Sequence, residues 1–185
     1  MPTRGNLPEA LVQAGIALLD EDGTEALSLR RIAARAGVSH AAPAHHFGGL
    51  PGLKTAMAIR GFQQFQQHLM AARDAVPADA PPFQRLSTVA DAYVRFAGMR
   101  TGLFQLMFDQ LAASDPDLLH TALGSYLLIK ELCAPFVDGR PAVAVETAVW
   151  SLTHGYAALN LDRPRPSDTQ VATSALVDAL RLIID

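Results

Sequence analysis

Apolar residues recur along almost the whole chain at spacings of three and four, and that rhythm confines it to helices. Phe83, Leu86, Ala90, Tyr93 and Ala97 show it most cleanly, and no run alternates apolar and polar residues as a strand would. The expected fold class is therefore all-α with about nine helices. Asn6 with Glu9 reads as a capping box, Leu11, Ala14, Gly15, Leu18 and Leu19 form one face, and Gly23 closes the first helix. Ser28 caps a second, with Leu29, Ile32, Ala33 and Ala36 in register and Gly37 at its end. Ser39 is the expected cap of a short third helix reaching Phe47. After Gly48 and Gly49 a long helix runs from about Leu50 to Ala75, carrying Met57, Phe62, Phe65 and Leu69.

The segment Val76 to Pro82, with three prolines, is the clearest breaker. The Phe83 helix follows, and Gly102 is expected to separate it from one carrying Leu103, Phe104, Met107, Phe108 and Leu111. Asp115 and Pro116 open the next, whose Leu119, Leu123, Tyr126 and Leu127 face one way. A turn over Asp138, Gly139, Arg140 and Pro141 ends that segment. An eighth helix carries Val145, Val149, Leu152, Tyr156 and Leu159, and a loop from Pro164 to Ser167 precedes a ninth with Leu176, Ala179, Leu180 and Ile183.

Half of the 185 residues are apolar, enough for a core with surplus for a pocket or a subunit interface. A single cysteine, Cys133, excludes an intramolecular disulfide and a multi-thiolate metal site, and points to a reducing cytoplasm. Residues 1 to 6 do not read as a secretion signal, and no stretch approaches the ~18 apolar residues of a membrane span. Catalytic signatures are missing: there is no nucleophile elbow, phosphate loop, dinucleotide glycine fingerprint or zinc-protease helix. His45 and His46 are adjacent on a helix and point about 100° apart, a poor pair of ligands for one metal. No enzyme activity, cofactor or metal is expected.

Net charge is −3, but it is unevenly laid out. Residues 1 to 27 hold one arginine against five acids, whereas residues 28 to 60 hold Arg30, Arg31, Arg35, Lys54 and Arg60 and no acid. A local basic block in an acidic protein is the footprint of a polyanion-binding face, with a solvated helical face as the lesser alternative. His40, His45 and His46 lie within it and can add charge at lower pH. The segment 28 to 47, SLRRIAARAGVSHAAPAHHF, then decides between them. Two short helices joined by a tight glycine-containing turn make a helix-turn-helix. Ala33 and Gly37 are small where the helices cross, Ile32 and Val38 plug the core below, and the second helix is left to enter a major groove.

From about Leu11 to Ala58, with "IA..AGVS......HF" running from Ile32 to Phe47, the sequence resembles the DNA-binding head of the TetR family of repressors. Residues 102–108, GLFQLMF, and 150–155, WSLTHG, are similar to the C-terminal domain named for its Trp, His and Gly on some members of that family. The resemblance implies a head over residues 1–48 and an effector-binding and dimerisation body over residues 49–185. It also implies a homodimer on a near-palindromic double-stranded operator, released by a small molecule. On this pattern Ser39 meets a phosphate, and His40, Ala41 and Ala42 approach base edges. Ala41 or Ala42 can offer a methyl to thymine, and His40 or His45 can donate to a base or a phosphate. Ser28, Arg30, Arg31, Arg35, His46 and Lys54 complete the expected DNA-binding set. The chain departs from the pattern at Ala44, where the family places an aromatic, and at Leu50, where it places a lysine. Lys54, one turn on, is a partial substitute. Losing two phosphate partners predicts weaker, less salt-sensitive DNA binding, and leaves a second reading open: a ligand-binding dimer whose helix-turn-helix has lost its operator.

In the body, Tyr93, Phe96, Phe104, Met107, Phe108, Tyr126, Trp150 and His154 are spread over five helices that can converge on one mainly apolar effector pocket. Each aromatic taken singly is core material. His154 is either a polar handle for the effector or a buried histidine satisfied by a neighbouring helix. The last two helices, from 141 to 159 and 168 to 184, carry the small and aliphatic faces expected of a four-helix dimer interface.

Overall fold

The computed structural model describes residues 7–160 and 169–184. Among them are nine α-helices and no strand. In chain order they are α1 (Leu7–Asp22), α2 (Leu29–Ala36), α3 (Ala42–Phe47), α4 (Leu50–Asp74), α5 (Pro82–Met99), α6 (Thr101–Gln110), α7 (Pro116–Cys133), α8 (Ala142–Asn160) and α9 (Thr169–Ile184). The capping partner Asn6 and the loop from Pro164 to Ser167 lie outside the described residues.

Most helix ends follow from local chemistry. The Ser28 hydroxyl accepts the Arg31 N–H at 3.2 Å, and Gly37 closes α2 in the left-handed region at φ 68°. Asp115 Oδ1 accepts the Leu118 N–H at 2.9 Å and so caps α7. Two expected boundaries move. Ser39 makes no cap: α3 starts at Ala42, where buried Pro43 fits a first turn that needs no N–H from it, and residues 40 and 41 form a turn. The break between α5 and α6 falls at Arg100, not Gly102. Gly102 instead sits in the first turn of α6, where a Cβ would come within 3.0 Å of the Leu19 carbonyl oxygen.

The chain divides into two compact units, residues 1–64 with 100–122 and residues 65–99 with 123–185. In the first, α1 packs on α2, α3 and α6. Its core is built from Leu11, Leu19, Ile32, Leu53, Met57, Phe62, Leu103 and Met107, all fully buried. In the second, α5 packs on α8 and α9, over Leu86, Tyr93, Phe96, Val149, Leu176 and Leu180. Leu119, Leu123 and Leu127 do share one side of α7, as their spacing requires, but that side is exposed and α7 is buried through Leu118, Leu128, Ile129 and Leu132.

Candidate nucleic-acid interface and effector cluster

In the first unit, α2 and α3 pack together and both rest on α1. Ile32 and Ala33 are the buried residues of α2, so Arg30, Arg31 and Arg35 are left exposed. In α3 Pro43 is buried, while Ala44, His45 and His46 are exposed, as are His40 and Ala41 in the preceding turn. Ala42 is half-buried. A close approach holds α3 against the start of α4: a Cβ on Gly52 would fall 2.1 Å from the Phe47 carbonyl oxygen. Lys54 is half-buried one turn into α4. The expected base-facing residues thus sit together on one exposed turn and helix.

Their electrostatic surroundings were invisible in the order of charges along the chain. Arg35 makes a two-pronged bond to Glu21, at 2.5 and 2.6 Å, and Arg31 meets Asp22 at 2.5 Å. Arg60 pairs with Glu9, and Arg100 with Asp20 at 3.0 Å. The Arg35 guanidinium holds the Glu21 carboxyl below the usual carboxylate range, and Glu21 in turn raises Arg35. Three of the five cations in the basic block therefore face carboxylates of α1. Arg30 and Lys54 have no carboxylate partner among the described residues. Ser28 spends its hydroxyl on the α2 cap.

Of the eight residues expected to form an effector pocket, Phe104, Met107 and Phe108 lie in the first unit and the other five in the second. In the first, Phe108 packs at 5.4 Å on Phe62 and 4.8 Å on Phe104, and Met107 covers Gly61. In the second, the Tyr93 hydroxyl lies 2.8 Å from His154 Nδ1. The Tyr93 ring stands edge-on to Phe65 at 4.8 Å, Phe65 tilts on Phe96 at 5.1 Å, and His68 lies 5.8 Å from Phe96. Burial raises the Tyr93 pKa, opposed by a hydrogen bond with the Trp150 indole, and burial lowers that of His154. The indole N–H can only donate, so the Tyr93 oxygen accepts it, and the proton between Tyr93 and His154 Nδ1 belongs to one or the other according to the histidine tautomer. Tyr126 packs edge-on to Trp150 at 5.7 Å and donates to Glu146 Oε2 at 2.6 Å; Glu146 is only 3% exposed.

Two polar groups in this unit went unnoticed in the sequence. His68 Nε2 and Ser125 Oγ are buried with no hydrogen-bond partner among the described residues. The signal for His68 was its place between Phe65 and Leu69 on α4, flanked by residues already assigned inward. Ser125 offered none, since a helical serine is ordinarily satisfied by its own backbone. Cys133 is buried, and burial with the nearby Glu146 pushes its thiol up to about 11, which leaves it unreactive. No helix among the described residues is long and apolar enough to cross a membrane, and no group of three potential metal ligands occurs among them.

Comparison with known proteins fits this geometry. The family described as "Bacterial regulatory proteins, tetR family" matches residues 11–49, and "Tetracyclin repressor-like, C-terminal domain" matches residues 86–180. No curated protein matches the sequence. Among solved structures, a protein of unknown function from Rhodococcus sp. RHA1 is 26% identical, with 97% of this chain and 96% of that one covered at a TM-score of 0.79. The TetR family transcriptional regulator PfmR from Thermus thermophilus is 21% identical, covering 94% and 96%, at 0.65. The regulator FadR from Bacillus subtilis, solved in complex with stearoyl-CoA, is 13% identical, covering 96% and 97%, at 0.68.

Proposed function

Since the chain belongs to the TetR family of DNA-binding transcriptional regulators, a family without enzymatic activity, we propose that it is a cytoplasmic one-component repressor. Residues 1–48 read a near-palindromic operator, and residues 49–185 bind an effector and dimerise. The observation that carries the reading is the exposed run of His40, Ala41, Ala44, His45 and His46 on a helix-turn-helix, with Ala42 half-buried among them. These side chains are spent on no core, and a helix so presented fits a major groove. Arg30, Arg31, Arg35, Ser39 and Lys54 are assigned to the phosphates beside it.

The effector site is assigned to the aromatic cluster around Tyr93, Phe96, Tyr126, Trp150 and His154, with Phe104, Met107 and Phe108 as the further candidates on α6. A buried polar atom left unpaired costs about 1–3 kcal/mol, and His68 Nε2 and Ser125 Oγ are two that a ligand's polar group can satisfy. The mainly apolar character of the cluster favours a mainly apolar small molecule, in line with the stearoyl-CoA held by the Bacillus subtilis protein of the same fold. Dimerisation is assigned to α8 and α9. Val143, Leu159 and Leu182 are 67%, 73% and 87% exposed there, and among the described residues a Cβ on Gly155 would meet nothing within 4 Å.

The test is a fluorescence-anisotropy titration of the protein against the promoter of its own gene and against a random duplex, at two salt concentrations. Saturable binding that outcompetes random DNA supports the repressor. A folded dimer with no preference for promoter DNA supports the second reading, a ligand-binding protein that has lost its operator. The carboxylates held by Arg31, Arg35 and Arg60 are the observation in its favour.

A further inference from the structure

Every acid of α1 in the described chain, Glu9, Asp20, Glu21 and Asp22, is paired with an arginine. Asp20 and Glu9 reach Arg100 on the turn into α6 and Arg60 within α4, outside the helix-turn-helix. Glu21 and Asp22 are different, because their partners lie on α2 and belong to the set assigned to the DNA backbone. The Arg35 bond is two-pronged, the fork geometry with which a guanidinium also takes a phosphate. All four side chains are substantially exposed, between 36% and 55%, so the pairs are open to competition by a ligand from solvent. A carboxylate and a phosphate cannot both occupy the same fork.

We propose that the acidic end of α1 is a built-in competitor for the DNA backbone: Glu21 and Asp22 hold the guanidinium groups of Arg35 and Arg31 in the place a phosphate would take. DNA engagement is then an exchange of one anion for another. The arginine gains a phosphate, the carboxylate returns to water, and the favourable part of the contact is what remains after the carboxylate has been displaced. The release of DNA counterions still accompanies each neutralised phosphate, but the freed carboxylate attracts cations of its own and is repelled by the duplex. Glu21 and Asp22 are thus affinity-setting residues, although neither is assigned a DNA contact. The inference rests on the assignment of α2 and α3 to DNA made above.

The experiment needs no operator, since the backbone term is independent of sequence. Binding of a mixed-sequence DNA duplex is measured by anisotropy for the full-length wild type, Glu21→Gln, Asp22→Asn, Arg35→Gln and the double variant Glu21→Gln/Arg35→Gln. A further variant, Glu25→Gln, removes an exposed neighbouring acid that is in no ion pair among the described residues. Thermal unfolding shows that each variant is folded. The expected result is binding about tenfold tighter for Glu21→Gln at low salt, shrinking as salt rises, and a smaller gain for Glu25→Gln. The gain is expected to vanish once Arg35→Gln is added. A Glu21→Gln protein that binds no tighter than the wild type overturns the inference. So does a gain that survives in the Arg35→Gln background, because the acid would then act on DNA by simple repulsion. If the wild type binds the duplex and the variants match it, this inference alone falls. If no version binds, the DNA assignment fails with it.

Discussion

At the scale of single residues, the head depends on side chains that are absent as much as on those present. Gly52 lets the first turn of α4 approach the Phe47 carbonyl, and that approach fixes the end of α3. Gly52→Ala is expected to cost about 1–3 kcal/mol, the usual penalty for forcing atoms into a filled space, read as a lower urea midpoint with unchanged helix content. An unchanged midpoint would show that α3 and α4 part without cost. His154 supplies a pH-dependent term of known sign. Burial lowers its pKa from 6.5, so below that pH the unfolded chain takes up a proton that the folded chain refuses. Stability is expected to fall as pH drops from about 7 to 5, and less steeply in His154→Gln. Coincident melting-temperature profiles for the two proteins would exclude His154 as the source. Neither residue's role was readable in the chain. Gly52 gave no sign because its neighbour is a backbone carbonyl that any sequence would supply. His154 did attract notice, but its hydrogen-bond partner Tyr93 lies 61 positions away, where no local pattern points to it.

At the scale of elements, helix ends were legible where the chain itself supplies the cap. Ser28, Gly37 and Asp115 act on backbone groups within a few residues and need no tertiary context. The start of α3 was misplaced because Ser39 and Pro43 compete for it, and the buried ring of Pro43 prevails. Facing is harder than existence: the leucine stripe of α7 has perfect spacing and still points outward. The end of α9 is held by a contact that only the fold provides. Arg140, in the turn before α8, donates to the carbonyls of Phe136, Ile183 and Ile184 at 2.6, 2.9 and 2.7 Å. It satisfies α9 carbonyls that have no partner within their own helix. Arg140→Ala is expected to cost about 2 kcal/mol and to speed amide exchange in the last turns of α9, with Arg140→Lys intermediate because an ammonium cannot fork. Exchange in α9 as slow as in the wild type would show that the carbonyls find other partners.

At the scale of the whole molecule, function follows from which surfaces are left over. The most exposed aliphatic side chain named on α9 is Leu182 and on α8 is Leu159, and replacing both by glutamate is expected to yield a monomer by light scattering. Such a monomer presents one recognition helix, and its affinity for a two-half-site operator is expected to drop at least about tenfold. A double variant that stays dimeric would move the interface elsewhere. The family was legible because its head is a local motif, whereas the pairing of α1 acids with α2 arginines joins two stretches that look, in sequence, like opposite poles. That pairing bears on how a regulator finds its address. A genome offers about 10⁶–10⁹ stretches of wrong DNA, and what matters is the ratio of right to wrong binding multiplied by how often each occurs. Carboxylates that occupy Arg31 and Arg35 weaken the hold on every stretch alike, so a protein of this design lingers less on wrong sequence, and relies more on the few side chains that read bases to stop it at the right one.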